Sequence, residues 1–397
     1  MKYAFANRVR NLQSSAVRDI LKVVGSGDVI SFAGGLPDGD LFPIKGIEEA
    51  FSRVFAQGKQ ALQYAETEGY RPLREKILER MERIGIKGFT SDDVLLTTGS
   101  QQAIDLFARI MLDPGDVVLT EDPTYLAALQ VFHSYEANVI AVSCDDDGMD
   151  PEDLEAKLKE HRPKFIYVVP TFSNPAGRVW SLERRKALLE LAKKHNVVIF
   201  EDNPYGELQF REDETYTPVT ALDNGESVLY TSTFSKIATP GLRTGWVVGP
   251  YQIIRMMAQA KQANDIHSDS VSQRALYELM SHFDLDGHIK RLIRVYRERM
   301  EVMAKCLEEA DLPDLHFVKP RGGMFFWVEV EKSINTTTLL KEAVERGVAY
   351  VPGETFYANN PKRNTMRLNF TYSQPETIER GMDILIDLLA RKSSVTS

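Results

Sequence analysis

Cysteine is the scarcest chemistry in this sequence. Only Cys144 and Cys306 occur, far apart, with no C-x-x-C and no zinc-ligand spacing. Nothing therefore supports a disulfide framework, a zinc site or a thiol-redox motif, and a reducing, cytoplasmic setting is expected. Both cysteines read as packing residues. No apolar run reaches membrane-spanning length, so no membrane is expected as a partner. The stretch from Met1 to Arg8 lacks the long apolar core of a secretory signal. Neither G-x-x-x-x-G-K-[ST] nor H-E-x-x-H occurs, which leaves a P-loop enzyme and a zincin without a motif, and no metal is expected. There is no internal repeat and no low-complexity segment. An excess of basic charge is missing too. The formal net charge of −9 argues against nucleic acid or an anionic surface as the main partner.

What is present is an ordinary globular composition. The 397 residues are 43% hydrophobic and 26% charged, enough for two or three domains and a sizeable core. Residues 8–24 alternate at helical spacing, with Leu12, Val17, Leu21 and Val24 on one face. Helices are expected at 47–57 and 73–84. From Val94 the pattern becomes strand, glycine turn, helix, repeatedly. Apolar strands at Val94, Val117, Phe165, Val197 and Val228 alternate with helices at 102–112, 125–135 and 182–195, and a further strand follows at Gly245. This pattern predicts an α/β fold with a mostly parallel sheet covered on both faces. Ligands of such sheets sit beyond the carboxyl ends of the strands, where the motifs below are expected to gather. A long basic helix from about residue 290 to 309 reads as a connector. Strands at 325–328, 348–351 and 366–370, then a helix near Glu376, read as a smaller α+β domain. The expected division is 1–45 for an N-terminal gating segment, 46–290 for the large domain and 291–397 for the small one.

The most telling motif is Ser232-Thr233-Phe234-Ser235-Lys236, followed by Pro240-Gly241-Leu242-Arg243. A lysine becomes nucleophilic when desolvation or nearby cations lower its pKa, and can then form a Schiff base. Hydroxyls and an arginine beside it suit a phosphate. Together they suggest pyridoxal 5′-phosphate. Gly99-Ser100-Gln101, between a strand and a helix, reads either as an anion site or as a plain N-cap with a flexible glycine. Asp202 ends an apolar strand, where a carboxylate is costly unless paired. It can keep a pyridine nitrogen protonated, or start a turn. Tyr205 and Asn174 can donate to the cofactor's phenolic oxygen. Asn174-Pro175-x-Gly177 also reads as an ordinary turn, with a cis peptide available. Tyr125 can stack on a ring or simply open a helix. Arg367 interrupts an apolar strand and suits either a substrate carboxylate or an internal salt bridge.

Taken in order, Thr97-Thr98-Gly99-Ser100-Gln101-Gln102, Asn174-Pro175-x-Gly177, Asp202-x-x-Tyr205, Ser232-x-x-Ser235-Lys236 with Arg243, and Met366-Arg367-Leu368 resemble the pyridoxal-phosphate-dependent class I/II aminotransferases of fold type I. Ser31-Phe32-Ala33-Gly34-Gly35-Leu36-Pro37, Gln63-Tyr64-x-x-Thr67-Glu68-Gly69-Tyr70 and Gly322 to Trp327 are similar to the 2-aminoadipate/aromatic, kynurenine-type branch. The resemblance covers nearly the whole chain. It implies an aspartate-aminotransferase-like fold with a seven-stranded-type sheet. Lys236 would hold the cofactor and act as general acid and base, with Asp202 at the pyridine nitrogen. Asn174 and Tyr205 would bind the phenolic oxygen, and Tyr125 would stack. Ser100, Gln101, Thr233, Ser235 and Arg243 would hold the phosphate; relatives commonly carry serine where Thr233 stands. Arg367, Asn174 and the Gly34-Gly35 backbone would hold the α-carboxylate. Tyr70 would reach a neighbouring subunit's site in a homodimer with shared active sites.

The resemblance also implies a specificity element. In Gln13-Ser14-Ser15-Ala16-Val17-Arg18, Ser15 and Arg18 would meet a distal substrate carboxylate, with Arg18 swinging aside for aromatic substrates. Arg18 as a solvated helix residue is the other reading. Some relatives are regulators with an N-terminal DNA-binding domain. The short stretch before Ser31 has no room for one, so a stand-alone enzyme is expected. It would pass the amino group of an aromatic, 2-aminoadipate or leucine-like amino acid to a 2-oxo acid such as 2-oxoglutarate. The same parts would also serve a C–S or β-elimination lyase, and a non-catalytic regulatory protein could keep the scaffold.

Overall fold

The structure is a computed structural model that describes residues 1–9, 17, 18, 20, 22 and 29–396. Its centre is a seven-stranded sheet. In chain order the strands are β1 (Val94–Thr97), β2 (Val117–Thr120), β3 (Asn138–Ala141), β4 (Phe165–Val168), β5 (Val198–Asp202), β6 (Val228–Thr233) and β7 (Gly245–Val248). They lie in the order β1-β7-β6-β5-β4-β2-β3. Strand β7 runs antiparallel to both neighbours, and the other pairings are parallel.

Alternation along the strands explains the layers, because successive side chains leave a strand on opposite faces. Phe165, Tyr167 and Phe200 pack in one cluster with residues of α1 (Gly99–Met111), α2 (Leu126–Ser134) and α3 (Tyr251–Asp265). Ile166, Val168 and Ile199 face the other way, against the helix Leu182–Lys194. Burying both faces is what makes these strands read as continuous apolar runs.

The second layer of the molecule is an antiparallel sheet of β8 (His316–Phe317), β9 (Phe325–Glu329), β10 (Val351–Pro352) and β11 (Thr365–Asn369), in the order β8-β9-β11-β10. Helix α4 (Leu285–Glu308) joins the two sheets: Leu285 and Ile289 pack with the large core, Leu292 to Leu307 with the small one. The small core also takes in the final helix, α5 (Pro375–Thr396). The two-residue strand Ile30–Ser31 pairs with Val348–Ala349, and the Asn369 N–H donates to the Phe32 carbonyl at 2.9 Å. These contacts lay the Gly34-Gly35 segment against the small sheet.

The structure shifts several expectations. Helix α1 starts at Gly99, not Gln102, so Gly99-Ser100-Gln101 is the helix's first turn rather than a linker. The expected strand at 348–351 divides into two short strands with different partners. The edge strand β3 had too mixed a pattern to stand out. Two motifs do not follow the carboxyl-end rule. Arg243 precedes β7, and it reaches the same sheet edge only because β7 is antiparallel. Arg367 lies in the middle of β11, opposite Trp327 and Val351. Of residues 8–24, Leu12, Leu21 and Val24 lie outside the described residues. Val17, Arg18, Ile20 and Lys22 are helical, and Ile20 is buried. Among the described residues, no helix is long and apolar enough to cross a membrane.

Candidate active site

A cavity of about 700 Å³ opens at the carboxyl edge of the large sheet. Ser100, Gln101, Tyr125, Asn174, Asp202, Tyr205, Thr233, Ser235, Lys236, Arg243 and Arg367 all line it, as do Gly35 and Arg18. Residues spread over most of the chain thus converge on one space. One expected residue does not line it. Tyr70 stands elsewhere, under the Arg274 guanidinium at 4.4 Å and edge-on to Tyr277. Ser15 lies outside the described residues.

Lys236 follows β6 by three residues, and its amine donates to the Gly35 carbonyl at 2.9 Å. Burial lowers its pKa to about 8, with the Arg367 and Arg243 guanidiniums acting in the same direction. About a tenth of this amine is therefore neutral at pH 7, the form a nucleophile or base requires, against well under a thousandth at the ordinary lysine pKa. Gly35 turns an acceptor toward the cavity. A carbonyl cannot hold a carboxylate, so only its N–H is left for that purpose.

Asp202 is the last residue of β5, and its neighbour Glu201 points to the opposite face. Glu201 is saturated by the Val219 and Thr220 N–H groups and the Thr220 hydroxyl. Among the described residues, Asp202 accepts only the Tyr167 hydroxyl, at 2.6 Å on Oδ2, and its buried Oδ1 has no partner. Burial pushes its pKa up to about 7, with the Tyr167 hydrogen bond pulling down. A buried carboxylate oxygen without a donor is costly. The protonated nitrogen of a pyridine ring would satisfy it.

Asn174 has an unambiguous orientation. Its Oδ1 accepts from Arg367 Nη1 at 2.7 Å, so Nδ2 is the end that faces the Tyr205 hydroxyl at 3.4 Å. The Asn174-Pro175 peptide is cis. Tyr125 lies just before α2, its phenol pushed up to about 12 by burial, with Asp202 adding to the effect.

The first turn of α1 supplies an anion cradle. The side chain of its N-cap residue, Thr98, makes no capping hydrogen bond, which leaves the leading N–H groups and the positive end of the helix dipole toward the cavity. Thr233 and Ser235 bring two hydroxyls, 2.9 Å apart. Arg243 adds a guanidinium whose Nη2 reaches the Thr98 carbonyl at 3.5 Å. Gly99 makes room for it: with φ at +73°, a Cβ there would stand 2.6 Å from Nη2. Gly245 has a similar reason, since its Cβ would meet the Ser100 nitrogen at 2.8 Å.

Arg367 is 3% exposed, and among the described residues it forms no ion pair. Nη1 and Nη2 are held by Asn174 Oδ1 and the Ala33 carbonyl, each at 2.7 Å, and Nε has no partner among the described residues. The guanidinium also lies over the Phe325 ring at 4.3 Å. Burial lowers its pKa to about 10, which still leaves it charged at neutral pH. Among the described residues the internal salt bridge expected as one alternative is absent, and a buried cation without a counter-ion there favours an anionic ligand.

The residues therefore fit a ligand with an anion at one end, a ring nitrogen at the other and a carbonyl carbon near Lys236, beside a separate carboxylate. Pyridoxal 5′-phosphate with an amino acid has that chemistry. Sequence reasoning missed Tyr167, whose signal was a phenol inside a wholly buried strand, where the hydroxyl needs a partner. It also missed the mixed wall of Leu126, Ala127, Gln130 and Phe356 around Arg18. Cys144 takes no part: burial pushes its thiol up to about 12.

Comparison with known proteins agrees. The model of the family "Aminotransferase class I and II" matches residues 27–385. The chain is 42% identical to aromatic-amino-acid aminotransferase 1 of Thermococcus litoralis, over 97% of this chain and 94% of that protein. A crystal structure of Pyrococcus horikoshii kynurenine aminotransferase with PMP, KYN and KYA superposes at a TM-score of 0.93, 42% identical, covering 98% of this chain and 97% of that one. The α-aminoadipate aminotransferase of Thermus thermophilus, solved with N-(5′-phosphopyridoxyl)-L-leucine, superposes at 0.91, 35% identical, covering 98% of each chain. The fold is aspartate-aminotransferase-like, as expected.

Proposed function

The chain belongs to the class I and II aminotransferases, and on that premise we propose which residues carry its pyridoxal-phosphate-dependent transamination and which substrates it takes. When bound, the cofactor supplies an electron sink that makes the substrate's α-proton removable. Lys236 would hold the cofactor, and its amine, freed when the substrate's amino group replaces it, would take the proton from the substrate's α-carbon and pass it to the cofactor carbon to which Lys236 had been attached. Asp202, through the open Oδ1, keeps the pyridine nitrogen protonated. Asn174 Nδ2 and the Tyr205 hydroxyl bind the phenolic oxygen, and Tyr125 covers the ring. Ser100, Gln101, Thr233, Ser235 and Arg243 hold the phosphate. Arg367 holds the α-carboxylate in a bidentate manner, oriented by Asn174 and Ala33.

The single observation that carries this reading is the convergence of three unsatisfied groups on one cavity. They are a lysine with a single carbonyl partner and, among the described residues, a carboxylate oxygen without a donor and an arginine without a counter-ion. The donor is an aromatic, 2-aminoadipate or leucine-like amino acid, and 2-oxoglutarate collects the amino group in the second half of a ping-pong cycle. The wall near Arg18 supports that range, since Val17, Leu126 and Phe356 are apolar and Arg18 is not. The protein works in the cytoplasm as a homodimer, with Tyr70 of the partner subunit completing each site. Tyr70's place outside its own cavity supports this. The chain divides at about residues 45 and 290 into gating segment, large domain and small domain.

The test is a half-reaction screen. Each amino acid is added to the purified holoenzyme without an acceptor, and loss of the cofactor's visible absorption is followed with 2-oxo acid release. One turnover per site, restored by 2-oxoglutarate, is expected for aromatic amino acids and 2-aminoadipate. Continuous pyruvate and ammonia from cystathionine, with no acceptor, would show a lyase instead.

A further inference from the structure

Lys261 lies on α3 with its side chain fully buried, facing the start of α1. Its ammonium meets Gln102 Oε1 at 2.8 Å, Asp265 Oδ1 at 2.9 Å and Oδ2 at 2.7 Å, and Ser268 Oγ at 2.7 Å. The Gln102 amide is fixed by this arrangement. Its Oε1 also accepts from the Thr98 N–H at 2.8 Å, and its Nε2 donates to Asp265 Oδ2 at 2.7 Å. The Ser268 hydroxyl in turn lies 2.8 Å from Thr98 Oγ1. Lys261 thus grips Thr98 twice, through Gln102 at its N–H and through Ser268 at its hydroxyl.

Thr98 is the N-cap residue of α1. A threonine in that place ordinarily turns its hydroxyl onto an N–H of the first turn. Here the hydroxyl is drawn toward Ser268, and α1 has no side-chain cap. The helix keeps its leading N–H groups open at the cavity, where Ser100 and Gln101 stand.

We propose that Lys261 is a positioning residue for the phosphate end of the cofactor: it holds Thr98 off the first turn of α1, so that turn stays uncapped and aimed at the anion. This rests on the cofactor placement given above. Lys261 acts through Gln102 and Ser268 and not as a bare charge, because Asp265 balances it.

The experiment compares binding of pyridoxal 5′-phosphate with binding of pyridoxal, which lacks the phosphate, to the full chain freed of cofactor. Lys261→Met should weaken binding of the phosphate form roughly tenfold or more, the usual scale for residues supporting a first set of ligands. Pyridoxal binding should stay near the wild-type value. A general structural defect would lower both alike, and an equal loss, or no loss, overturns the proposal. Ser268→Ala cuts only the hydroxyl arm and should shift the ratio less, in the same direction. It serves as the test if Lys261→Met does not fold, and an unchanged ratio in it then overturns the proposal. Wild-type protein that fails to prefer the phosphorylated form would instead overturn the cofactor placement itself.

Discussion

Lys261 and Lys236 are both lysines withdrawn from water, and the fold treats them in opposite ways. In the joint between α1 and α3, the ammonium of Lys261 lies within hydrogen-bond reach of four oxygens. In the cavity, Lys236 meets one carbonyl. The arginines divide in the same manner. Arg185 is buried behind the sheet and donates to the carbonyls of Trp180, Thr217 and Pro170 and to the Thr171 hydroxyl. Arg367 leaves Nε unpartnered. Glu201 and Asp202 repeat the contrast on adjacent residues. Buried charge alone does not distinguish a packed interior from a working site. Unused hydrogen-bonding capacity gathered around one cavity does, whereas elsewhere it is scattered over single atoms such as Arg299 Nε.

Four experiments set these two kinds of buried group, and the cavity wall, against each other. The largest effect is expected from Lys236→Ala. Turnover should fall by roughly 10³-fold or more, since both cofactor attachment and proton transfer are lost. The thermal midpoint of the cofactor-free protein should not fall. A folded variant with full turnover would remove Lys236 from the mechanism.

The next pair separates the arginines. Arg367→Ala should raise the KM for amino acid and oxo acid about 10- to 100-fold, the worth of a charge-assisted bond, with little loss of stability. Arg185→Ala should do the reverse, costing about 2–4 kcal/mol of stability while the folded fraction keeps its KM. Identical behaviour of the two variants would defeat the comparison.

Tyr167→Phe removes one hydroxyl from Asp202 and should lower kcat about tenfold near pH 7. That hydroxyl pulls the Asp202 pKa down, so its removal lets the pKa rise. The useful form is the carboxylate, which is lost as pH falls. The acid limb of the rate profile should therefore move to higher pH, and the deficit should shrink as pH rises. An unshifted acid limb would mean that Tyr167 does not act through Asp202. In the cofactor-free protein the folded pKa of Asp202 is raised from 3.8 to about 7. The folded state holds this proton more tightly than the unfolded one, so its contribution to stability declines as pH rises through that window.

The smallest effect belongs to Arg18→Ala, because Arg18 is exposed. The preference for 2-aminoadipate over an aromatic amino acid should fall, by about tenfold at most. An unchanged preference would take specificity away from Arg18.

Much of this was legible in the sequence. Asp202 and Arg367 announced themselves because each breaks an apolar run, where charge is expensive without a purpose. Lys236 stood among hydroxyls at a strand's end. The parallel sheet followed from strands with no polar face. Tyr167 was not legible, since a tyrosine in an apolar strand looks like core until its hydroxyl is seen against Asp202. Lys261 was hidden for a different reason. Its partners Gln102 and Ser268 belong to separate segments, and only the packing of α3 on α1 brings them together. Arg243 was found for a reason the structure revises, as it reaches the cavity from the start of an antiparallel strand.

The space at Gly99 also limits how this protein can change. Every single-base change of a glycine codon that substitutes another amino acid adds a Cβ, which here would run into the Arg243 guanidinium at 2.6 Å. The left-handed backbone penalises the same substitutions a second time. A substitution at position 99 would therefore displace the Arg243 guanidinium as well as strain the backbone. The glycine thus sets the reach of the arginine, and a change at one position would be felt at the anion end of the cavity through the other.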